Sequence, residues 1–223
     1  RALCVVHSVH GIEKDGAHVQ KKTIHAAEQD RPDVAEQRTA WRTWSKTVPA
    51  SRLIFIDETW TKTNMTRLRG RAPRGERLVA KTPHGHWKTT TLIGALGIEG
   101  MRCAAIVDGA VNADMFEAFV EQVLLPALRP GDIVIMDNLS SHKRDRVIEL
   151  IQSAQAELRY LPPYSPDLNP IELVFSKIKQ AFRALGSRTK EALWGSVQGV
   201  LNQVTPSDAT NCMRHAGYTL QVA

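Results

Sequence analysis

The sequence predicts an α/β domain, a mixed sheet covered by helices. Two short apolar runs, 53–57 and 132–137, each close on an aspartate. Such continuous runs suit strands buried on both faces. Between them lie two strand-like stretches split by Glu99-Gly100, and apolar residues at helical spacing follow. The order is strand, hairpin, helix, strand, helix, strand, helix, an alternation that lays helices on a sheet.

Taken in order, residues 1–50 read as an extension with one helix, roughly 34–47, carrying Trp41 and Trp44. The first strand then runs from Leu53 to Asp57. The stretch 61–90, with Gly70, Gly75 and Gly85, reads as loops or a loose hairpin. Residues 90–97 and 102–108 form an antiparallel hairpin. A helix starts with Asn112 as N-cap, and Met115, Phe116, Phe119, Val120, Val123, Leu124 and Leu128 keep helical spacing until Pro130-Gly131 ends it. After the strand at 132–137 come a helix near 143–155 and a strand near 157–161. The loop 162–169 is too rich in proline to be regular. Asn169-Pro170 is a strong helix start, an N-cap followed by proline at the first helical position. Ile171, Val174, Phe175, Ile178, Ala181, Phe182 and Leu185 then make one apolar stripe. A last helical region covers 190–204. The chain divides into an extension at 1–50, a sheet domain at 51–186 and a helical segment at 187–223 packed on it.

Composition narrows the class. With 43% hydrophobic and 23% charged residues among 223, the chain can bury a core. No run of about 18 apolar residues exists, so no membrane association is expected. Three dispersed cysteines, Cys4, Cys103 and Cys212, argue against a disulfide framework or a structural zinc site and fit a reducing cytosol. A cytoplasmic location is therefore expected. Net charge is +6, and its distribution is telling. Between Thr61 and Thr90 stand Lys62, Arg67, Arg69, Arg71, Arg74, Arg77, Lys81 and Lys88 against Glu76 alone, more than the whole excess.

Asp57 and Asp137 each end a buried-type strand, where side chains leave the core and ligand sites form. On parallel neighbouring strands the two carboxylates would project from one edge, about 5 Å apart. Acids that close repel unless a cation sits between them. Magnesium suits such a site, because it takes one or two carboxylates, waters and substrate phosphate oxygens. Glu172, in the first turn of the helix after Pro170 and one residue off its apolar stripe, is the third candidate. A glutamate there also answers the helix dipole. Two ions held by these acids would clamp an in-line displacement at phosphorus, activating the attacking oxygen and stabilising the leaving one.

These motifs match a known family. Phe55-Ile56-Asp57-Glu58-Thr59, Val134-Ile135-Met136-Asp137-Asn138-Leu139 and Pro162-Pro163-Tyr164-Ser165-Pro166-Asp167-Leu168-Asn169-Pro170-Ile171-Glu172 resemble the DDE transposases of the mariner superfamily. The branch most resembled is the bacterial insertion-sequence 630 family. The 34 residues between Asp137 and Glu172 are typical of that superfamily. Gly70-Arg71-Ala72-Pro73-Arg74-Gly75 and Pro83-His84-Gly85-His86-Trp87-Lys88 are similar to the same branch. The resemblance implies a ribonuclease-H-like fold and two Mg2+ ions, with Mn2+ as a substitute. It implies DNA cleavage at transposon ends and insertion of the 3′ end at a TA dinucleotide. The implied partners are double-stranded DNA, both transposon ends and target, and a second copy of the chain in a paired-end complex. Full-length members carry N-terminal helix-turn-helix modules; with the first acid already at position 57, those modules are expected to be missing here.

Other residues are weighed against plainer roles. Glu58 would face away from Asp57 along a continuing strand. Asp108 precedes Gly109 and reads as a turn acid, and Asp167 as the acid of an Asx-turn. Asn138 and His142 follow the second acid and are candidates for touching the scissile phosphate; otherwise they shape a turn and cap a helix. Arg69, Arg71, Arg74, Arg77, Lys81, His84 and Lys88 are expected to contact DNA backbone, which requires charge and little geometry. Lys177 and Lys179 are weaker candidates of the same kind. His84 and His86 lack the partners a zinc site needs. Two other functional readings stand beside the transposase: a nuclease of the same fold that only hydrolyses, and a catalytically silent DNA-binding remnant of a mobile element.

Overall fold

The computed structural model describes residues 26–81, 83–84, 87–138 and 143–220. Five strands, β1 (Leu53–Lys62), β2 (Thr89–Gly97), β3 (Gly100–Asp108), β4 (Ile133–Met136) and β5 (Glu157–Tyr160), form one sheet in the order β3-β2-β1-β4-β5. β1, β2 and β3 pair antiparallel, whereas β1–β4 and β4–β5 are parallel. The mixed sheet follows from the connections. A short turn at Glu99 suffices between antiparallel strands, but a parallel return needs a crossover. Helix α2 (Ala113–Phe119) lies in the crossover to β4 and α3 (Asp145–Ser153) in the crossover to β5.

Strand alternation sorts the core into two layers. Leu53, Phe55, Leu92, Leu96, Ile133 and Ile135 face α4 (Pro170–Leu185), α5 (Lys190–Leu201), α6 (Pro206–His215) and Trp41 of α1 (Pro32–Ser45). Ile54, Ile56, Ile93, Ala95, Val134 and Met136 face Phe116 and Phe119 of α2 and Val147, Leu150 and Ile151 of α3. The apolar stripe of α4 is buried at Ile171, Val174, Phe175, Ile178 and Phe182, as its spacing predicts.

Three elements differ from the sequence reading. β1 does not stop at Asp57 but continues to Lys62, because β2 pairs with it as far as Lys62↔Thr89. The helix capped by Asn112 is regular only to Phe119; a π turn (Val120–Leu124) and a 3-10 turn (Leu125–Ala127) follow. Pro126 cannot donate to the carbonyl four residues back and its ring crowds that carbonyl, which opens the turn before it. Finally α6 lies in the segment 187–223 that was expected to be helical, but the sequence reading gave it no bounds of its own. Its start is nonetheless written locally, since Thr205 and Asp208 form a reciprocal capping box and Pro206 occupies the first turn.

Candidate active site

The parallel pairing of β1 with β4 sets the two aspartates side by side. The register runs Leu53↔Ile133, Ile54↔Val134, Phe55↔Ile135. Extending the same offset puts Asp57 opposite Asp137, which lies one residue past the end of β4. Both are odd-numbered and share the face of Phe55 and Ile135, towards α4. Glu172, exposed in the first turn of α4, completes the set. All three acids line one cleft of about 470 Å³, together with Asn138, the segment from Leu161 to Pro166, and Asn169. Glu58 falls on the opposite face of β1 by alternation, as the sequence reading has it.

The wall opposite the strand ends is the proline-rich loop, and its shape is held from outside. Tyr164 has a left-handed backbone, φ 54°, which a bulky residue adopts only under constraint from its surroundings. Gln29 Nε2 donates to the Tyr164 carbonyl at 2.7 Å. Arg38, on α1 and 7% exposed, donates to Ser165 Oγ at 2.7 Å and to both carboxylate oxygens of Asp167 at 2.9 and 2.6 Å. Ser165 Oγ in turn donates to the Pro163 carbonyl. Tyr218 donates to the Leu168 carbonyl while accepting from Trp41 Nε1. Asp167 is therefore the acid of a long-range fork and not simply a turn acid. The Arg38 guanidinium holds its carboxyl below the usual carboxylate range.

Asn169 joins loop to acid. Its Nδ2 donates to Asp57 Oδ2 at 2.8 Å, and the Glu58 amide donates to Asp57 Oδ1 at 2.7 Å. It occupies the N-cap position of α4, as expected, but its side chain makes no capping bond.

Cations and aromatics gather beside the acids. Lys179, two turns beyond Glu172 on α4, stands with Nζ 4.9 Å from the Trp60 ring centroid, and Lys62 lies 4.7 Å from the same ring. Burial lowers the Lys179 ammonium from its ordinary value, against the pull of Glu172 and Asp57. Trp60 is 54% exposed, an unusual cost for a large ring.

Of the residues singled out in the sequence, Asp57, Asp137, Glu172 and Asn138 meet in the cleft, and Lys179 lies beside two of the acids. Arg69, Arg71, Arg74, Arg77, Lys81, His84 and Lys88 are exposed along the segment between β1 and β2. Lys177 turns away from the cleft to Asp208 of α6. Asp108 is paired with Lys190. His142 and His86 lie outside the described residues. Arg38, Asn169 in its contact with Asp57, Trp60 and Tyr164 were not singled out. Only Trp60, three residues past an acid and next to the basic stretch, carried a local signal.

The donors in the cleft are all oxygens, which suit a hard divalent cation such as Mg2+ or Mn2+. No group of three or more carboxylate, imidazole or thiol side chains among the described residues is arranged around a single ion. That is compatible with magnesium chemistry, in which one or two carboxylates suffice and water and phosphate oxygens complete the shell. The Asn169 Oδ1 atom, buried and without a hydrogen-bond partner, marks the same place as polar beyond its own needs.

The comparisons fall on this geometry. No curated protein sequence matches the chain. Among solved structures it is similar to the Mos1 mariner paired-end complex with Mn, at TM-score 0.71 and 17% identity, covering 91% of this chain and 64% of that one. The Mos1 strand transfer complex matches at TM-score 0.65 and 18% identity, with 92% and 68% covered. The Mos1 transposase catalytic domain with Raltegravir and Mg matches at TM-score 0.60 and 16% identity, with 89% and 100% covered. The chain thus spans less than two thirds of the first of these. Likeness at such identities speaks to the fold, which is ribonuclease-H-like, as the resemblance implied. A family model described as DDE superfamily endonuclease matches residues 52–193, which takes in both aspartates, the proline-rich loop and Glu172. The chain belongs to the DDE superfamily endonucleases.

Proposed function

We propose that this chain is the catalytic part of a DNA transposase of the insertion-sequence 630 type, acting in a bacterial cytoplasm. It cleaves DNA at the ends of a mobile element and joins the 3′ end to a TA-type target. The observation that carries the reading is that Asp57, Asp137 and Glu172 line one cleft just past the last parallel β1–β4 pair, Phe55↔Ile135. Asp57, Asp137 and Glu172 would hold two divalent ions, Mg2+ or Mn2+. When bound, the ions supply Lewis-acid activation of the attacking oxygen and stabilisation of the leaving one.

The protein's part is position. β1 and β4 fix two carboxylates by their register, and α4 brings the third on a helix whose apolar stripe is packed against the sheet. The loop, braced by Gln29, Arg38 and Tyr218, forms a wall that limits how a phosphodiester enters. Exposed arginines and lysines between β1 and β2 bind DNA backbone, and Lys62, Lys179 and Trp60 extend that surface to the cleft. The partners are double-stranded DNA, as transposon end and target, and a second copy of the chain in a paired-end complex. The solved structures similar to this chain, which are paired-end and strand transfer complexes of Mos1, support that reading.

The test is strand transfer of pre-cleaved ends into a plasmid in Mg2+, since pre-cleaved ends isolate joining from end recognition. Joined products that vanish in Asp137→Ala support a transposase. Hydrolysis without joining would leave the nuclease reading, and inertness in both Mg2+ and Mn2+ the silent remnant.

A further inference from the structure

Asn169 gives up the hydrogen bond that an asparagine in its place ordinarily makes. An N-cap asparagine accepts a hydrogen bond from an amide in the first turn of its helix. Here the backbone occupies the N-cap position, yet the side chain makes no such bond. Its Oδ1 is also buried and unpartnered, in a residue only 3% exposed. Buried acceptors without donors are rare because they are costly. The compensation is the bond from Nδ2 to Asp57 Oδ2 at 2.8 Å. Turning the amide over would set its oxygen against the Asp57 carboxylate. The side chain is therefore oriented by the acid, not by the helix it begins.

We propose that Asn169 is a positioning residue for Asp57. With the Glu58 amide on Oδ1 and Asn169 on Oδ2, the carboxylate is gripped at both oxygens and held in one rotamer. Asn169 is also the last residue before Pro170, three before Glu172, so one residue ties the first acid to the helix that carries the third. This role rests on the divalent-ion reading above. Groups that orient a ligand set its affinity, typically by about 10- to 100-fold.

The experiment compares wild type, Asn169→Ala and Asn169→Ser in two measurements, thermal melting in EDTA and Mn2+ binding by titration calorimetry. Serine caps a helix well but is too short to reach Asp57. A positioning role predicts that both variants fold without metal, melt alike, and bind Mn2+ about tenfold or more weakly. A merely structural cap predicts the reverse: Asn169→Ala melts lower, while Asn169→Ser keeps both wild-type stability and wild-type Mn2+ affinity. Full Mn2+ affinity in Asn169→Ser overturns the proposal. Wild type that binds no Mn2+ would overturn the ion reading of the cleft itself, a distinct failure visible before any variant is made.

Discussion

At the scale of single residues the cleft is a problem of like charge. Asp57 and Asp137 stand about one strand spacing apart, where two carboxylates repel each other unless a cation lies between them. Asp137→Asn is therefore expected to leave the metal-free melting temperature unchanged or slightly raised. Strand cleavage should fall by at least about 10³-fold, the loss of roughly 4 kcal/mol of transition-state stabilisation. Single-turnover cleavage of a pre-nicked end, with a melt in EDTA as companion, checks both halves. A variant that cleaves normally would remove Asp137 from the chemistry. Such acids are legible from sequence because an aspartate at the end of an apolar run has no role in packing.

Among elements, α1 and the proline-rich loop form the least expected partnership. Arg38 lies 129 residues from Asp167 in sequence, and nothing local to either announces the pair. Arg38→Ala is expected to destabilise the fold by about 1–3 kcal/mol, with Arg38→Lys recovering part of it, since only the guanidinium can bond both oxygens at once. The pair also sets a pH dependence. The folded carboxyl of Asp167 lies below its ordinary value, so its contribution is present above the unfolded pKa of about 3.9 and lost as pH falls through the folded value. Wild type should accordingly lose more stability than Asp167→Asn between about pH 5 and pH 2, measured by denaturant unfolding across that range. Gly94 decides a second contact. It pairs with Asp57 across β1 and β2, and a Cβ there would lie 3.3 Å from the Phe175 ring of α4 and 2.7 Å from Met101 Cε. The methionine end can swing aside, but the ring is packed. Gly94→Ala should cost about 1–3 kcal/mol and lift the helix that carries Glu172, lowering cleavage more than the stability loss explains. Equal Mn2+ affinity in Gly94→Ala and wild type would refute the second half.

For the whole molecule, charge and packing separate cleanly. The two core layers occupy the faces of the sheet, while Arg69, Arg71, Arg74 and Arg77 stand exposed between β1 and β2 and contribute nothing to either layer. Replacing those four arginines with alanine should leave the melting temperature within experimental scatter. DNA affinity should fall, and the slope of log K against log salt should flatten by roughly 3–4 if all four neutralise phosphates. Fluorescence anisotropy of a labelled duplex over a salt series measures it. An unchanged slope would mean that this segment is only a solvated loop. Among the described residues no helix is long and apolar enough to cross a membrane.

What the sequence determined by itself was whatever depends on periodicity and local chemistry. The buried strands, the hairpin, the stripe of α4 and the acids that close the two apolar runs follow from which residues must leave water and which cannot. The proline at the start of α4 is read in the same way. The capping box of α6 was equally local, though the weakly apolar helix behind it hid the element. Only the tertiary structure decided the rest. Register brought Asp57 opposite Asp137, and pairing with β2 carried β1 five residues past its acid. Distant side chains turned Asp167 to Arg38, Lys177 to Asp208 and Asn169 to Asp57. A polar side chain takes the strongest partner within reach, and reach is a property of the folded chain, not of neighbours in sequence.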